Sequence, residues 1–152
     1  MALIHEKLYK SRDMEGVDFG EYLLDLVAFL VSSYRVGHPD TRVEVDAPEL
    51  ELGLGKAVPC GLIVNELVSN AFKYAFPAGQ GGTVRVGLAP RHDGQVELSV
   101  SDDGIGLPKG FDIYSADSLG MRLVSSLADQ LDASLEIRNG RGTSFTLGFA
   151  AK

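Results

Sequence analysis

The chain has 152 residues, of which 45% are apolar and 23% charged, the size and balance of one globular domain with a real core. Its formal net charge is −7 and no Lys/Arg cluster interrupts that balance, which excludes a nucleic-acid partner, since a phosphate backbone demands such a cluster. The one cysteine, Cys60, excludes an intrachain disulfide and fits a reducing cytoplasm.

The opening MALIHEKLYKSRD places His5, Glu6 and Lys7 where a signal peptide needs apolar residues. No apolar run reaches the ~20 residues that cross a bilayer. The longest candidate, YLLDLVAFLV, contains Asp25. A cytoplasmic location without membrane contact is therefore expected, although other segments of a parent protein could still anchor it.

In chain order, a short opening helix breaks at Asp13 to Gly16. Phe19, Tyr22, Leu23, Leu26, Val27, Leu30 and Tyr34 recur at helical spacing, which predicts an amphipathic helix over 19–34 with Asp18 as its N-cap and Gly37 and Pro39 at its end. RVEVDAPELEL, at 42–52, alternates and predicts two short strands around Pro48, with Val43, Val45, Leu50 and Leu52 on one side. A second helix is expected from about Val58 to Phe76, with Pro59 in its first turn and Pro77 and Gly79 stopping it. Strands over 83–89 and 95–101 flank an Asp93-Gly94 turn. A glycine-rich segment, a third helix over 119–131, and a hairpin of 134–139 with 143–149 across Gly140 and Gly142 complete the chain. Three long helices against five or six strands, several of them consecutive, predict a two-layer α/β sandwich.

Three segments carry candidate chemistry. On the second helix, Asn65, Glu66, Ser69, Asn70, Lys73 and Tyr74 share one face, while Val64, Leu67, Val68, Ala71, Phe72 and Ala75 occupy the other. A plain solvated face is one reading. Against it, Asn and Ser are mediocre helix formers. Glu66 and Asn70 lie one turn apart and aim two oxygen ligands at one place, which suits Mg²⁺. The second segment is Ser101-Asp102-Asp103-Gly104-Ile105-Gly106-Leu107-Pro108, directly after a strand. It matches neither a dinucleotide fingerprint nor a Walker A loop. It reads either as a turn or as a strand end presenting the Asp102 carboxylate to an adenine amino group, with Gly104 and Gly106 letting the backbone pass close to a ligand. The third is Ser118-Leu119-Gly120-Met121-Arg122-Leu123 at a helix start, either a phosphate site or simple capping by Asp117 or Ser118. Between the last two segments, residues 107–118 have the Pro, Gly, Asp and Ser content of a mobile lid.

In this order, NELVSNAFKYAF, SDDGIGLP, SLGMRLV and RGTSF resemble the motif set of the gyrase, heat-shock-chaperone, histidine-kinase and mismatch-repair ATPase superfamily. The resemblance runs from about residue 17. MALIHEKLY with VDFGEYL looks like the bacterial histidine kinases whose dimerisation domain is of the second HisKA type. It implies three helices on a mixed, mainly antiparallel sheet of five or six strands, the Bergerat-type ATP-binding fold. Residues 1–16 would then be the remnant of the second dimerisation helix and a linker, and 17–152 the catalytic domain. ATP and Mg²⁺ are the implied ligands. Asn70 would hold the metal that bridges the phosphates, Glu66 would be a proton-handling group of the N-box, and Lys73 would approach the phosphates. Asp102 would accept the adenine amino hydrogen bond, with Thr143 nearby through water. Gly104 and Gly106 would shape the pocket, and Gly120 would open the phosphate-binding helix start. Asn65 and Tyr74 also match, Tyr74 among the nucleotide-binding residues, and Arg122 is common in the subgroup.

The implied reaction is transfer of the ATP γ-phosphoryl group to a histidine on a dimerisation domain, followed by passage to a response regulator. The family's acceptor histidine lies on an earlier helix, upstream of residues like these. His5 is read as a surface or packing residue, His38 and His92 as exposed turn residues, and Cys60 as core. An anti-sigma-type serine kinase has similar size, but the MALIHEKLY opening argues against it. A degenerate, non-catalytic binding or phosphotransfer domain is opposed by the intact Glu66, Asn70, Asp102, Gly104, Gly106 and Gly120.

Overall fold

The computed structural model describes residues 16–76, 80–107 and 119–152. Among these the elements run β1 (Val17–Asp18), α1 (Phe19–Tyr34), β2 (Thr41–Asp46), β3 (Glu51–Leu52), α2 (Leu54–Asn70), a π-helical turn (Ala71–Ala75), β4 (Gly82–Pro90), β5 (Gln95–Asp102), α3 (Leu119–Gln130), β6 (Ser134–Gly140) and β7 (Gly142–Ala150). The opening helix, Pro77 with Gly79, the cap at Asp117 or Ser118 and the lid beyond Leu107 lie outside the described residues.

The main sheet has five strands in the order β2-β4-β5-β7-β6. β2 and β4 are parallel, and the remaining neighbours are antiparallel. A parallel pair needs a long crossover, which α2 supplies; the antiparallel pairs β4–β5 and β6–β7 close as short hairpins. In the first hairpin, Asp93 and Gly94 take φ of 60° and 74°, the left-handed pair of values that Asp-Gly favours. β1 and β3 form a separate two-stranded ribbon, pairing Val17 with Leu52. The reading of 42–52 as two strands with one shared face is thus corrected: β2 joins the main sheet and β3 the ribbon, because Ala47 to Leu50 carry the chain from one to the other.

Period-2 alternation puts Val84, Val86 and Leu88, Val96, Leu98 and Val100, and Phe145, Leu147 and Phe149 on the helix-facing side, each buried. Phe19, Leu23, Leu26, Ile63, Val64 and Val68 meet them from α1 and α2. Asp18 caps α1, its carboxylate accepting from the Glu21 N–H at 3.2 Å.

α2 starts four residues before its expected beginning at Val58, with Gly53 as an N-cap that has no side-chain acceptor. Pro59 therefore lies inside the helix, where it withholds a hydrogen bond from the Gly55 carbonyl; Gly55 is exposed, so water can satisfy that oxygen. Ser69, expected on the polar face, is 8% exposed and faces inward. His38 is half-buried rather than free in its turn. Its ring meets Phe72 edge-on at 5.5 Å, while Tyr34 stacks on Phe72 at 4.9 Å. His92 is exposed and Cys60 fully buried, as expected.

Candidate functional site

A cavity of about 650 Å³ opens between α2, α3 and the ends of β5 and β7. That volume falls in the range of small-molecule sites. From α2 and its π turn come Leu67, Asn70, Ala71, Tyr74 and Ala75; from the sheet, Val100, Asp102, Thr143 and Phe145; from the glycine-rich loop, Ile105, Gly106 and Leu107; from α3, Met121.

The strands explain why two polar groups stand in an apolar hollow. On β5, the alternation that buries Val96, Leu98 and Val100 continues to Asp102, so a carboxylate ends a core-facing row. β7 repeats the pattern through Phe149, Leu147 and Phe145 to Thr143, and the register pairs Thr143 with Asp102. Burial pushes the Asp102 carboxyl above its ordinary pKa. The Gly104 N–H, 2.9 Å from Oδ1, and the Thr143 N–H favour the charged form and oppose that shift, while neighbouring Asp103 adds to it.

Asn70 sits at the seam between the apolar and polar sides of α2, with Leu67, Ala71 and Tyr74 at helical spacing beside it. Glu66 lies roughly 40° further round the helix. It is half-buried and does not line the cavity. Nor does Lys73, which is exposed on the π turn. Gly104 flanks the site without lining it. Gly120 lies in the first turn of α3, next to Met121, and is also outside the lining. Asn65 is half-buried, and Arg122 is exposed on α3. The structure thus gathers Asn70, Tyr74, Asp102, Gly106 and Thr143 around one hollow and leaves Glu66, Lys73, Gly104 and Gly120 at its margins.

The glycine-rich loop is tied down at three points. Asp103 Oδ1 accepts from the Thr83 N–H at 2.7 Å. The Ile105 N–H donates to the Ala75 carbonyl at 2.8 Å, inside the π turn. The Leu107 N–H donates to Asn139 Oδ1 at 2.8 Å, and Asn139 Nδ2 donates to the Leu107 carbonyl at 2.8 Å. A methyl group at Gly104 would run into the Ala75 carbonyl oxygen, and one at Gly142, where φ is 80°, into that of Asp102. The sequence reading missed Asp103, Asn139, Gly142 and the apolar lining. The period-2 register of β5 and β7 carries the signal for Val100 and Phe145; nothing in the linear pattern pairs Asn139 with Leu107.

Residues 55–152 match the family described as histidine kinase-, DNA gyrase B- and HSP90-like ATPase, and residues 1–34 match a histidine kinase family. The sensor histidine kinase PdtaS of Mycobacterium tuberculosis is 34% identical over 151 residues, covering 97% of this chain and 30% of that protein. Blue-light-activated histidine kinase 2 of Erythrobacter litoralis is 29% identical, over 90% of this chain and 41% of that protein. The chain therefore spans less than half the length of these curated relatives. A solved structure of a blue-light-activated histidine kinase from the same organism superposes with a TM-score of 0.87 at 25% identity, over 98% of this chain and 45% of that one. Its histidine kinase domain alone gives 0.78 at 28% identity, over 89% of this chain and 66% of that one. The paired strand ends, the seam asparagine and the looped glycines thus sit in a fold shared over nearly the whole chain, which belongs to the histidine kinase-, DNA gyrase B- and HSP90-like ATPase family.

Proposed function

We propose that this domain binds ATP with the adenine against Asp102 and passes the γ-phosphoryl group to a histidine imidazole on a dimerisation domain. The observation that carries this reading is that Asn70 and Asp102, from different elements, line one cavity. An adenine amino group is a donor, and Asp102 is an acceptor at the end of an apolar row. Val100, Phe145 and Leu107 offer the ring apolar walls, and Thr143, paired with Asp102 and lining the same cavity, would hold a bridging water.

Asn70 would hold Mg²⁺, which takes one or two protein oxygens together with phosphates and water, and the ion would neutralise charge on the phosphates. Lys73 and the first-turn amides near Gly120 would meet the phosphates, with Glu66 handling a proton one turn from Asn70. Gly104 and Gly106 let the loop close against α2 and β6. A dissociative phosphoryl transfer asks mainly for alignment and charge neutralisation, which these groups are suited to give. The neutral imidazole needed for attack is available at cellular pH, given an ordinary pKa near ~6.5. Residues 1–16 would end the second dimerisation helix and 17–152 would form the catalytic domain, working in the cytoplasm and feeding a response regulator.

Calorimetric titration with ATP and Mg²⁺ tests the reading. Binding by the wild type that weakens more than about tenfold in Asp102→Asn, the loss expected for a charge-assisted hydrogen bond, supports it. Absence of heat in the folded wild type retires it. With γ-labelled ATP the chain alone should stay unlabelled, and a supplied dimerisation domain should take acid-labile label. Acid-stable label on a serine would move the assignment to a serine kinase.

A further inference from the structure

Asn139 stands on β6, away from the cavity lining, yet its side chain holds the residue that forms one cavity wall. The Leu107 N–H donates to Oδ1 and the Leu107 carbonyl accepts from Nδ2, both at 2.8 Å. One carboxamide thus makes the two bonds that a neighbouring strand would make to a single residue. The approach is close: a Cβ at Gly106, where φ is 81°, would stand 2.5 Å from Asn139 Oδ1. Asn139 also pairs across the β6–β7 hairpin with Thr143, and Thr143 pairs with Asp102. The Asn139 side chain therefore holds a wall residue of the cavity, while its backbone sits in the ladder beside Thr143, the strand residue paired with Asp102. The loop's other ties, at Asp103 and Ile105, both lie earlier in the chain.

We infer that Asn139 is a positioning residue for nucleotide binding, holding Leu107 against the cavity through a two-point carboxamide clamp. The inference rests on the ATP-binding reading above. A carboxylate at this position could still accept from the Leu107 N–H, but it would set a lone pair against the Leu107 carbonyl. Asn139→Asp keeps the size and removes only the donor half of the clamp, whereas Asn139→Ala removes both halves. Arg138 is the control, because its guanidinium bonds Glu136 within the same strand and, among the described residues, it neither lines the cavity nor hydrogen-bonds the loop.

The test titrates wild type, Asn139→Ala, Asn139→Asp and Arg138→Ala with ATP and Mg²⁺ at pH 7.5, and follows exchange of the Leu107 amide hydrogen without nucleotide. Both Asn139 variants should bind about five- to tenfold more weakly, as expected for one or two lost hydrogen bonds, with melting temperatures near the wild type's. Arg138→Ala should stay within about twofold, since exposed ion pairs contribute little. The Leu107 amide should exchange faster in Asn139→Ala. If that variant does not fold, Asn139→Asp decides the matter alone. Wild-type affinity in the folded variants overturns the inference and leaves the nucleotide reading standing. A wild type that binds no ATP removes both, and unchanged Leu107 exchange in Asn139→Ala overturns the clamp whatever the affinity.

Discussion

Asp102 is held in conflict: the core-facing row that positions it also removes it from water. Its folded-state pKa is raised above the ordinary 3.8, mainly by burial. The folded chain then holds more protons than the unfolded chain in the window above 3.8. The contribution of this group to stability is fully present below that value and is lost as pH rises through the folded-state pKa. Asn cannot ionise and still accepts from the Gly104 N–H. At pH 7, Asp102→Asn is therefore expected to melt at or above the wild-type temperature while losing nucleotide affinity, and its advantage should shrink below about pH 4. Thermal melts of both proteins across pH check this, and a variant that melts well below the wild type at pH 7 contradicts it. Tyr22 is a second residue at odds with its surroundings. Its hydroxyl is buried, near Gly61, and has no hydrogen-bond partner among the described residues. A buried, unsatisfied hydroxyl costs about 1–3 kcal/mol. Tyr22→Phe should be neutral or stabilising by up to about 1 kcal/mol in urea unfolding, with its packing on Phe19 at 5.7 Å retained.

At the scale of elements, the helices and the strand alternation were readable because apolar spacing is set by the core they face. α1 follows its predicted span with Asp18 as cap, and the five main strands fall near their expected limits. The start of α2 was not readable, since Gly53 offers no capping side chain and Pro59 imitates a first-turn residue. Among the candidate site residues, Asn70 was legible as a carboxamide one turn from Glu66 on a polar helix face, and Asp102 as a carboxylate ending an alternating strand. The π turn was not, and its Ala75 carbonyl accepts from the Ile105 N–H of a distant loop, a contact that no local spacing announces. The two glycines of the β6–β7 hairpin show the same limit. They look alike in sequence, yet Gly142 has a φ of 80° with the Asp102 carbonyl against its Cα, whereas nothing lies within 4 Å of a Cβ at Gly140. Left-handed φ alone costs a side chain about 1–2 kcal/mol. Gly142→Ala should therefore lose at least about 2 kcal/mol and melt roughly 4–8 °C lower, whereas Gly140→Ala should stay within about 0.5 kcal/mol of the wild type. Equal melting temperatures for the two variants would contradict the hairpin geometry.

Across the whole molecule, the cavity is the place where the core stops short of closing. Leu67, Val100 and Phe145 belong to the continuous cluster that runs from Phe19 to Phe149, and they also line the hollow. A ligand that fills it completes the packing of α2, α3 and the sheet, so binding and global stability are linked. A ligand that binds only the folded state stabilises it by about 2.7 kcal/mol at a hundred times its dissociation constant. For a chain of this size each kcal/mol moves the melting point by about 2–4 °C, so saturating ATP with Mg²⁺ should raise it by roughly 5–10 °C. The rise should scale with the logarithm of nucleotide concentration. It should fall to about half or less in Asp102→Asn, whose own fold is intact by the argument above, and persist in full in Tyr22→Phe, since Tyr22 is not among the residues that line the cavity. A shift of equal size in wild type and Asp102→Asn would place the nucleotide somewhere other than this cavity.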